Sequence, residues 1–437
     1  MNTKTSLPAA FILTGAFWVI CRNSLYLTQL AERNLAILVL TPENYRQQAE
    51  EARRNAHSPL SHITDVAYVE GSLDKEASFN PGVIAALQSW RTQYQIVGAF
   101  AVGETLVEPT GLVADALGIR SPGLRATRVC RSKYLQRFYL KAFSPDSVML
   151  PPEQRYQIDL ATLAYPLIMK PATRHSSSGV LCIETPEHAH RALADYPAHE
   201  TLLLEQKIVG QEYSVETLSQ QGEVIFASTT HKVTTDRHAN TFVELAHTVP
   251  NQDQNSALLL QATKDVLNTL EFSDGIAHAE WRVDHNGRPW LMEIASRTPG
   301  DGILPLYNLA YGEPLEPTIL RIMLGESASL KPPTRVARQV YLEHPLGILV
   351  DVQLNWPDAE IFWLNDNDPW PAIPAGNHDD EPTLRAMFIH KQRGERLEPL
   401  RSSDDRAVVF FIDARNVTEL DQLEQCVRAK IALHVKG

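Results

Sequence analysis

The amino-acid sequence predicts a multidomain protein of the α/β and α+β classes, with a doubly wound parallel-sheet domain at the N-terminus and a small α+β domain at the C-terminus. Its 437 residues exceed what one hydrophobic core usually organises and indicate about three domains. The first part alternates apolar strand-like runs with helical patterns, which is typical of a doubly wound sheet. The later part contains a tight hairpin and ends in strands followed by a helix predicted at 417–432, which favours α+β units.

Composition excludes several classes of protein. Hydrophobic residues make up 44% of the chain and charged residues 21%, as in ordinary globular proteins. The formal net charge of −12 argues against a partner that is nucleic acid or an anionic membrane, because proteins that bind them need excess Lys and Arg. The cysteines at positions 21, 130, 182 and 426 form no C-x-x-C pair, so we expect no zinc site and a reducing, cytoplasmic location.

The N-terminal domain is predicted from its alternation of strands and helices. Residues 7–21 are apolar and imitate the core of a signal peptide, but we interpret residues 11–15 as a strand that leads into a helix at 25–33. Further strands are predicted at residues 35–40, 66–69 and 95–99. The domain lacks a G-x-G-x-x-G motif, so we assign it no dinucleotide.

A basic helix follows the turn at Ser121-Pro122-Gly123. It is predicted over residues 127–141 and carries Lys133 among several arginines and lysines. A basic helix in an acidic protein is usually a solvated face. Its position ahead of the next strand makes Lys133 a candidate for contact with phosphate.

Residues 165–171 are predicted to form a buried strand that delivers Lys170 at its end. The loop that follows contains the small polar residues Ser176, Ser177, Ser178 and Gly179. Such a loop can turn backbone N–H groups and hydroxyls toward a phosphate, with the lysine as a point charge. The G-x-x-x-x-G-K-[ST] order of a Walker A motif is missing, and a plain surface loop is the alternative.

A polar hinge joins two predicted strands within residues 201–216. It consists of Glu205, Gln206, Lys207 and Ile208, and the second strand carries Glu212. A hinge of this kind can offer backbone groups to an adenine edge and a carboxylate to a ribose.

Residues 278–302 contain two carboxylates on strands that an Asn286-Gly287 turn is expected to pair. Antiparallel pairing would bring Glu280 and Glu293 side by side. Like charges directly opposite each other repel, so a cation between them explains the arrangement, and Mg²⁺ uses one or two carboxylates together with substrate phosphates. The alternative is a solvated hairpin with two unrelated surface glutamates.

Taken in order, Lys133, Lys170, the serine-rich loop, the hinge and the pair Glu280 and Glu293 with Arg297 resemble the ATP-grasp superfamily of carboxylate–amine ligases. The segments 231–244 and 292–301 are similar to those of the L-amino acid ligases, which make dipeptides. The resemblance covers roughly residues 1–320. One departure concerns the metal, because Ala295-Ser296 stand where many family members carry an asparagine ligand.

The resemblance implies a core of two α+β ATP-grasp subdomains, with ATP and one or two Mg²⁺ ions as cofactors and Mn²⁺ as a possible substitute. We expect domain boundaries at 1–120 for the N-terminal domain, 121–204 for the subdomain that forms the ATP lid, 205–328 for the metal and substrate site, and 329–437 for the C-terminal domain. The C-terminal domain shows no chemistry of its own, and it can cap the substrate side or support a homodimer.

The resemblance also implies roles for the substrate-side residues. Arg297 suits a substrate carboxylate or the oxyanion of a tetrahedral intermediate, since its fork binds oxyanions bidentately. Candidates for holding an amino-acid substrate are Glu244, His231, His278 and Asp301. Each has a structural alternative: Glu244 as a surface residue, the histidines as hydrogen-bonded core residues, and Asp301 as part of a Pro-Gly-Asp-Gly turn.

The sequence therefore predicts an ATP-dependent ligase that joins an amino acid or a similar carboxylate to an amino acid through an acyl phosphate, and releases ADP and phosphate. Its partners would be the small-molecule carboxylate and amine. One alternative is a purine-pathway or carboxylase-type enzyme of the same superfamily. Another is an ATP-binding regulator without turnover.

Overall fold

The computed structural model describes residues 7–174, 177–237, 239, 241–357, 359–365 and 368–437. It shows separate sheets with helices packed between and around them, which confirms the predicted α/β and α+β fold class. Within the described residues, no helix is both long enough and apolar enough to cross a lipid bilayer.

The N-terminal sheet is parallel, with the strand order β3-β2-β1-β4. Its elements are β1 (Ala9–Thr14), α1 (Phe17–Arg22), α2 (Leu25–Glu32), β2 (Ala36–Pro42), α3 (Arg46–Ala52), β3 (Ile63–Val69), α4 (Asn80–Trp90), β4 (Gln95–Ala101) and α5 (Val107–Leu117). The apolar run that imitates a signal peptide is the buried central strand β1 and the start of α1. Carboxyl ends of parallel strands commonly form ligand sites. The segments after β1 and β4 accordingly supply Arg22 and Glu104 to the cleft described below.

The predicted basic helix is two helices rather than one. α6 (Leu124–Arg131) ends at Ser132, whose backbone is extended, and α7 (Lys133–Tyr139) starts anew. The break lets the backbone N–H of Lys133 donate to the carbonyl of Ala172 at 3.1 Å, which ties the first residue of α7 to the end of the strand that carries Lys170.

A small antiparallel sheet follows, with the order β5-β8-β6-β7. Its elements are β5 (Ser147–Leu150), β6 (Leu167–Pro171), β7 (Leu181–Ile183), α8 (Pro186–Asp195) and β8 (Leu202–Gln206). Helix α8 begins as its sequence predicts, with Pro186 in the first turn and the Thr185 hydroxyl accepting from the backbone N–H of His188 at 3.2 Å.

The large sheet has the order β13-β12-β9-β10-β11-β14-β19-β17-β16. The part of the chain that supplies its first strands contains β9 (Gly210–Gln220), β10 (Glu223–Thr234), β11 (Glu244–Val249), β12 (Gly275–Asp284) and β13 (Pro289–Ala295). The helices of the same part are α9 (Ser256–Leu270), α10 (Ile303–Tyr311) and α11 (Glu316–Leu324). The C-terminal part of the chain contains β14 (Val336–Tyr341), β15 (Gly347–Leu354), β16 (Ile361–Trp363), β17 (Thr383–Ile389), β18 (Arg396–Leu397), β19 (Val408–Ala414), α12 (Val417–Arg428) and β20 (Ile431–Lys436). Of these strands, β14, β19, β17 and β16 extend the large sheet, whereas β18, β15 and β20 form a separate three-stranded sheet.

The large sheet therefore contains strands from both sides of residue 328. Strand β11 pairs with β14, which pairs with β19, so the C-terminal segment extends the sheet that carries the glutamates. The helix predicted at 417–432 ends earlier, at Arg428. The residues beyond it form β20, which pairs with β15.

One core cluster joins the N-terminal sheet to the large sheet. It contains Leu27 from α2, Leu306 from α10 and Phe411 from β19, and all three are fully buried. Burying a side chain of this size contributes about 1.5–3 kcal/mol, so this shared core holds the N-terminal domain against the large sheet. The carboxyl edge of the N-terminal sheet consequently borders the same cleft as the large sheet.

Candidate active site

The cleft has a volume of about 680 Å³, within the usual range of small-molecule sites of roughly 300–1,000 Å³. Most of the residues that the sequence singled out line it. They are Lys133, Lys170, Ser177, Ser178, Glu205, Gln206, Lys207, Ile208, Glu212, Glu244, His278, Glu280, Glu293, Arg297 and Asp301. Segments that are far apart in the chain thus line one common cleft.

Two predicted residues, Gly179 and His231, are not among the residues that line the cleft. Ser176 lies outside the described residues. Gly179 has a left-handed backbone, with φ of +72°, and its carbonyl accepts from the Tyr196 hydroxyl at 2.7 Å. The ring of His231 packs edge-on against Tyr213, with centroids 5.6 Å apart.

Lys232, the neighbour of His231, lines the cleft instead. Successive side chains of a strand point to opposite faces. In β10, Thr230, Lys232 and Thr234 are buried, whereas His231 is only half-buried. The alternation of the strand could have identified Lys232, whereas the family resemblance suggested His231.

The first end of the cleft gathers cations around one buried carboxylate. Glu205 accepts from the Arg137 guanidinium at 2.7 and 3.2 Å and from Lys170 Nζ at 2.7 Å. Burial alone would raise the pKa of Glu205, but Arg137 and Lys170 lower it to about 2. Glu205 therefore orients Lys170 and Arg137, and its carboxylate is already engaged by these two cations.

The ammonium of Lys170 loses its proton more readily than that of an exposed lysine. Burial lowers the pKa of Lys170 to about 8, and the neighbouring cations Arg137 and Lys133 act in the same direction against the attraction of Glu205. Because one carboxylate is shared by several cations, this end of the cleft keeps an excess of positive charge that can bind a further anion. A phosphate group of the nucleotide is such an anion.

The affinity of the free protein for ATP should therefore fall as pH rises through about 8. The ammonium that attracts phosphate is fully present below this pKa and is lost above it, with a limit of tenfold per pH unit. Isothermal titration of ATP between pH 6 and pH 10 measures the effect. Lys170→Arg should remove the inflection, because a guanidinium stays charged over this range. An inflection near pH 8 that persists in this variant would assign the titration to another group.

Glu280 and Glu293 are paired partners in the register of β12 and β13, as the hairpin predicts. Lys133 Nζ lies 3.0 Å from one oxygen of Glu293, and Lys232 Nζ lies 2.5 Å from one oxygen of Glu280. Burial alone would raise the pKa of Glu280, but Lys232 and His278 hold it well below its usual range. The two like charges are thus tolerated side by side because each has its own ammonium.

Further carboxylates come near Glu280 through strand pairing. Oxygens of Glu212, Glu244 and Glu280 lie within 4.8 Å of one another. Lys232 Nζ lies among them, 3.7 Å from Glu244 and 3.8 Å from Glu212. An all-oxygen, anionic donor set suits a hard cation such as Mg²⁺, so these residues and Glu293 fit the metal that the resemblance implies.

The position of the missing asparagine supplies no oxygen ligand. Ala295 lines the cleft with a methyl group. Ser296 is buried beside the Cys130 thiol rather than directed at the glutamates.

His278 links two glutamates. Its Nδ1 lies 2.7 Å from an oxygen of the fully buried Glu216, and its Nε2 lies 3.4 Å from Glu280. Burial would lower the pKa of His278, but the two carboxylates raise it. Glu216 is in turn held by the hydroxyls of Thr230 and Tyr307, each at 2.7 Å, so His278 has a fixed ring orientation.

Arg297 projects from the end of β13 into the cleft. Its Nε donates to Glu104 at 2.8 Å and its Nη1 donates to the carbonyl of Thr298 at 2.8 Å. Glu104 follows β4, so the N-terminal domain sets the orientation of this arginine. The sequence suggested Arg297 without its carboxylate partner, because the two residues are 193 positions apart.

Asp301 and Glu244 meet a residue that the sequence did not single out. Arg406, which precedes β19, donates to both oxygens of Asp301 at 2.5 and 3.1 Å and lies 3.9 Å from Glu244. Burial would raise the pKa of Asp301, but Arg406 lowers it. The pKa of Glu244 is raised by burial and by Asp301, in spite of Lys232. The C-terminal segment thus contributes directly to the cleft.

Comparison with known proteins identifies one of these segments. Residues 163–305 match the family model described as an ATP-grasp domain. The chain is similar to an L-arginine-specific L-amino acid ligase of Bacillus subtilis, with 22% identity over 63% of this chain and 69% of that protein. It is also 26% identical to a D-alanine–D-alanine ligase of Alkalilimnicola ehrlichii over 41% of this chain and 60% of that protein.

Solved structures show the same fold over nearly the whole chain. The L-amino acid ligase from Bacillus licheniformis superposes with a TM-score of 0.74 and 16% identity, over 99% of this chain and 100% of that one. Together, the domain match and these similarities confirm the predicted resemblance to ATP-grasp ligases and the prediction of an enzyme of this type.

Proposed function

We propose that this enzyme, whose residues 163–305 carry an ATP-grasp domain, joins the carboxylate of an amino acid, or of a similar acid, to the amino group of an amino acid and releases ADP and phosphate. The observation that carries the proposal is the convergence of Lys133 and Lys170, the paired carboxylates Glu280 and Glu293, and Arg297 on one cleft. The similarity to ligases named for amino-acid substrates supports it.

The chemistry requires an activated carboxylate, because an amine does not displace an oxide ion from a carboxylate anion. Transfer of the γ-phosphoryl group of ATP to the carboxylate gives an acyl phosphate and ADP. Attack of the amine on the acyl carbon then gives a tetrahedral intermediate, which expels phosphate and leaves the amide. Positioning and charge neutralisation are the main contributions of a protein to phosphoryl transfer.

The residues of the cleft can supply both contributions. Lys133 and Lys170 would bind phosphate oxygens, and Ser177 and Ser178 would hydrogen-bond them from the loop. Glu280 and Glu293 would hold Mg²⁺, which when bound neutralises the charge of the phosphate oxygens. Arg297, fixed by Glu104 at 2.8 Å, would bind the donor carboxylate and later the oxyanion of the tetrahedral intermediate.

The remaining polar residues would recognise the substrates. Gln206, Lys207 and Ile208 would contact the adenine edge from the hinge. Glu244, His278 and Asp301 form an acidic side of the cleft, which suits an ammonium group of an amino acid. The small-molecule carboxylate and amine are the expected partners. We also propose a cytoplasmic location, which agrees with the free thiols of Cys21, Cys130, Cys182 and Cys426.

A trapping experiment tests the order of the chemistry. Pairs of amino acids and other small carboxylates are first screened by phosphate release and product mass, with formate and bicarbonate included. With a donor identified, the enzyme, Mg-ATP and hydroxylamine should yield the donor hydroxamate in the absence of any amine substrate. Oxygen-18 placed in the donor carboxylate should appear in the released phosphate.

Two other outcomes would contradict the proposal. AMP and pyrophosphate as products would indicate an adenylated intermediate, and the roles of Glu280, Glu293 and Arg297 would have to be withdrawn. ADP release stimulated by bicarbonate or formate, but by no amino acid, would indicate a carboxylase-type or purine-pathway reaction instead.

A further inference from the structure

The cleft continues beyond the glutamates into a part that we call the distal compartment. Its walls come from the first and the last parts of the chain, and it is lined by Trp18, Arg22, Tyr341, Trp370, His390 and Lys391. None of these residues was singled out in the sequence. Among the described residues, the lysines and glutamates at the opposite end of the cleft come from the middle of the chain. The distal compartment is therefore formed by different segments of the chain.

Aromatic rings hold the cations of the compartment in place. The Arg22 guanidinium carbon lies 4.6 Å from the centre of the Trp18 ring and 4.5 Å from that of Trp370. Contact with two rings restricts the orientation of the guanidinium and places its positive charge in the compartment. Trp370 also contacts the ring of His390, with centroids 5.9 Å apart. Arg22 and His390 therefore flank the same indole.

His390 offers a polar atom to this space. Its Nε2 is buried and, within the described part of the chain, has no hydrogen-bond partner. Burial, together with the nearby cations Arg22, Arg406 and Lys391, lowers the pKa of His390 to about 3 against the opposing effect of Asp301. The imidazole is thus neutral and can present an N–H group, and the groups that act on it are mostly cationic.

The compartment is contiguous with the proposed reaction centre. The ammonium of Lys232 lies 2.5 Å from a carboxylate oxygen of Glu280 and 3.7 Å from one of Glu244. Arg406 lies 3.9 Å from Glu244 and stacks on Tyr341 at 3.8 Å, and the Tyr341 ring lies 6.3 Å from that of His390. A small molecule can therefore reach from the glutamates to the distal compartment.

We infer that the distal compartment binds the carboxylate of the amine substrate through Arg22, His390 and Lys391, so that the enzyme selects amino acids or peptides over simple amines. The inference rests on the proposed function. The donor carboxylate must lie at the phosphates, next to Arg297, so a carboxylate at the other end belongs to the second substrate. Glu395 and Asp404 also line the cleft, and their carboxylates would repel a second anionic group there.

An internal competition tests the inference. One mixture contains the common L-amino acids and their carboxamides at equal concentrations, together with Mg-ATP and the enzyme. A carboxamide has no free carboxylate and can act only as the amine substrate. Mass spectrometry separates products that end in a free acid from those that end in an amide, and their ratio equals the ratio of kcat/KM values for the two kinds of amine substrate.

The wild-type enzyme should make about tenfold to a hundredfold more acid-ended than amide-ended product, because a hydrogen bond to a charged group is lost with the amide. Lys391→Met should reduce this ratio about tenfold or more, and Lys391→Arg should restore it. His390→Phe keeps a ring against Trp370 and should also reduce the ratio. Lys264→Met, at an exposed position of α9, is the matched control and should leave the ratio unchanged.

A ratio of products from the same tube is insensitive to partial unfolding, since both products come from the same folded molecules. Equal amounts of the two products from the wild-type enzyme would overturn the inference and leave the proposed function standing. An unchanged ratio in both Lys391→Met and His390→Phe would do the same. A mixture that yields no condensation product at all would refute the proposed function, and the inference would fall with it.

Discussion

Replacing Glu293 with glutamine should lower turnover by roughly a hundredfold to a thousandfold, because a neutral amide is a poor partner for a hard cation that bridges phosphates. The change keeps the size of the side chain. It also removes the anion that lies 3.0 Å from Lys133 Nζ, so this ammonium loses its fixed position. The Glu293 side chain is 21% exposed, and we therefore expect the fold and its thermal midpoint to be retained.

The measurement is phosphate release at saturating ATP over a range of Mg²⁺ concentrations, with circular dichroism as the check on folding. Glu381→Gln is the matched control, since this side chain is 82% exposed and pairs only loosely with Arg415 at 3.3 Å. Its activity should equal that of the wild type. Near-normal turnover of Glu293→Gln at limiting Mg²⁺ would remove Glu293 from the metal site.

Replacing Asp413 with asparagine should destabilise the C-terminal half of the large sheet by about 3–5 kcal/mol. Asp413 and Arg335 are both fully buried and lie 3.1 Å apart, and Arg385 approaches the second oxygen of Asp413 at 3.0 Å. The variant leaves the Arg335 guanidinium buried without a carboxylate. An uncompensated buried charge is among the most costly single changes in a folded protein.

Native-state hydrogen exchange of the amides of β14, β17 and β19 measures this effect without assuming that the whole chain unfolds in one step. Asp421→Asn is the control, because this aspartate is 53% exposed and its ion pair with Arg338 is of the surface type, worth at most about 1 kcal/mol. Equal protection of the three strands in both variants would show that the buried pair contributes little.

Local patterns identified the parts of the chain that obey local rules. The hairpin turn at Asn286-Gly287 predicted the register that pairs Glu280 with Glu293. The apolar run before Lys170 predicted β6, which ends one residue beyond it. Each of these features depends on residues that are neighbours in the sequence, so their types and spacing were sufficient.

Other features depend on partners that the sequence does not mark. The Glu205 carboxylate accepts from Arg137, which is 68 positions away, and the sequence gives no sign of this pairing. His231 was a candidate substrate residue, but its ring packs against Tyr213, and its neighbour Lys232 lines the cleft. The sequence does not show which opposite charge lies next to a given carboxylate or ammonium. The role of such a group depends on the partner that folding buries beside it.

The sequence by itself determined the fold class, the ATP-grasp resemblance and the order of the phosphate-binding lysines, the hinge and the paired glutamates, because strand periodicity, turn chemistry and capping act over a few residues. Only the tertiary structure decided which charges neutralise each other and what closes the far side of the cleft. Arg22 and Arg406 are 384 positions apart in the numbering of the chain, yet the shared core of α2, α10 and β19 brings their segments to one cleft. Burial makes such long-range pairs strong, since a charge removed from water must find its partner within the protein.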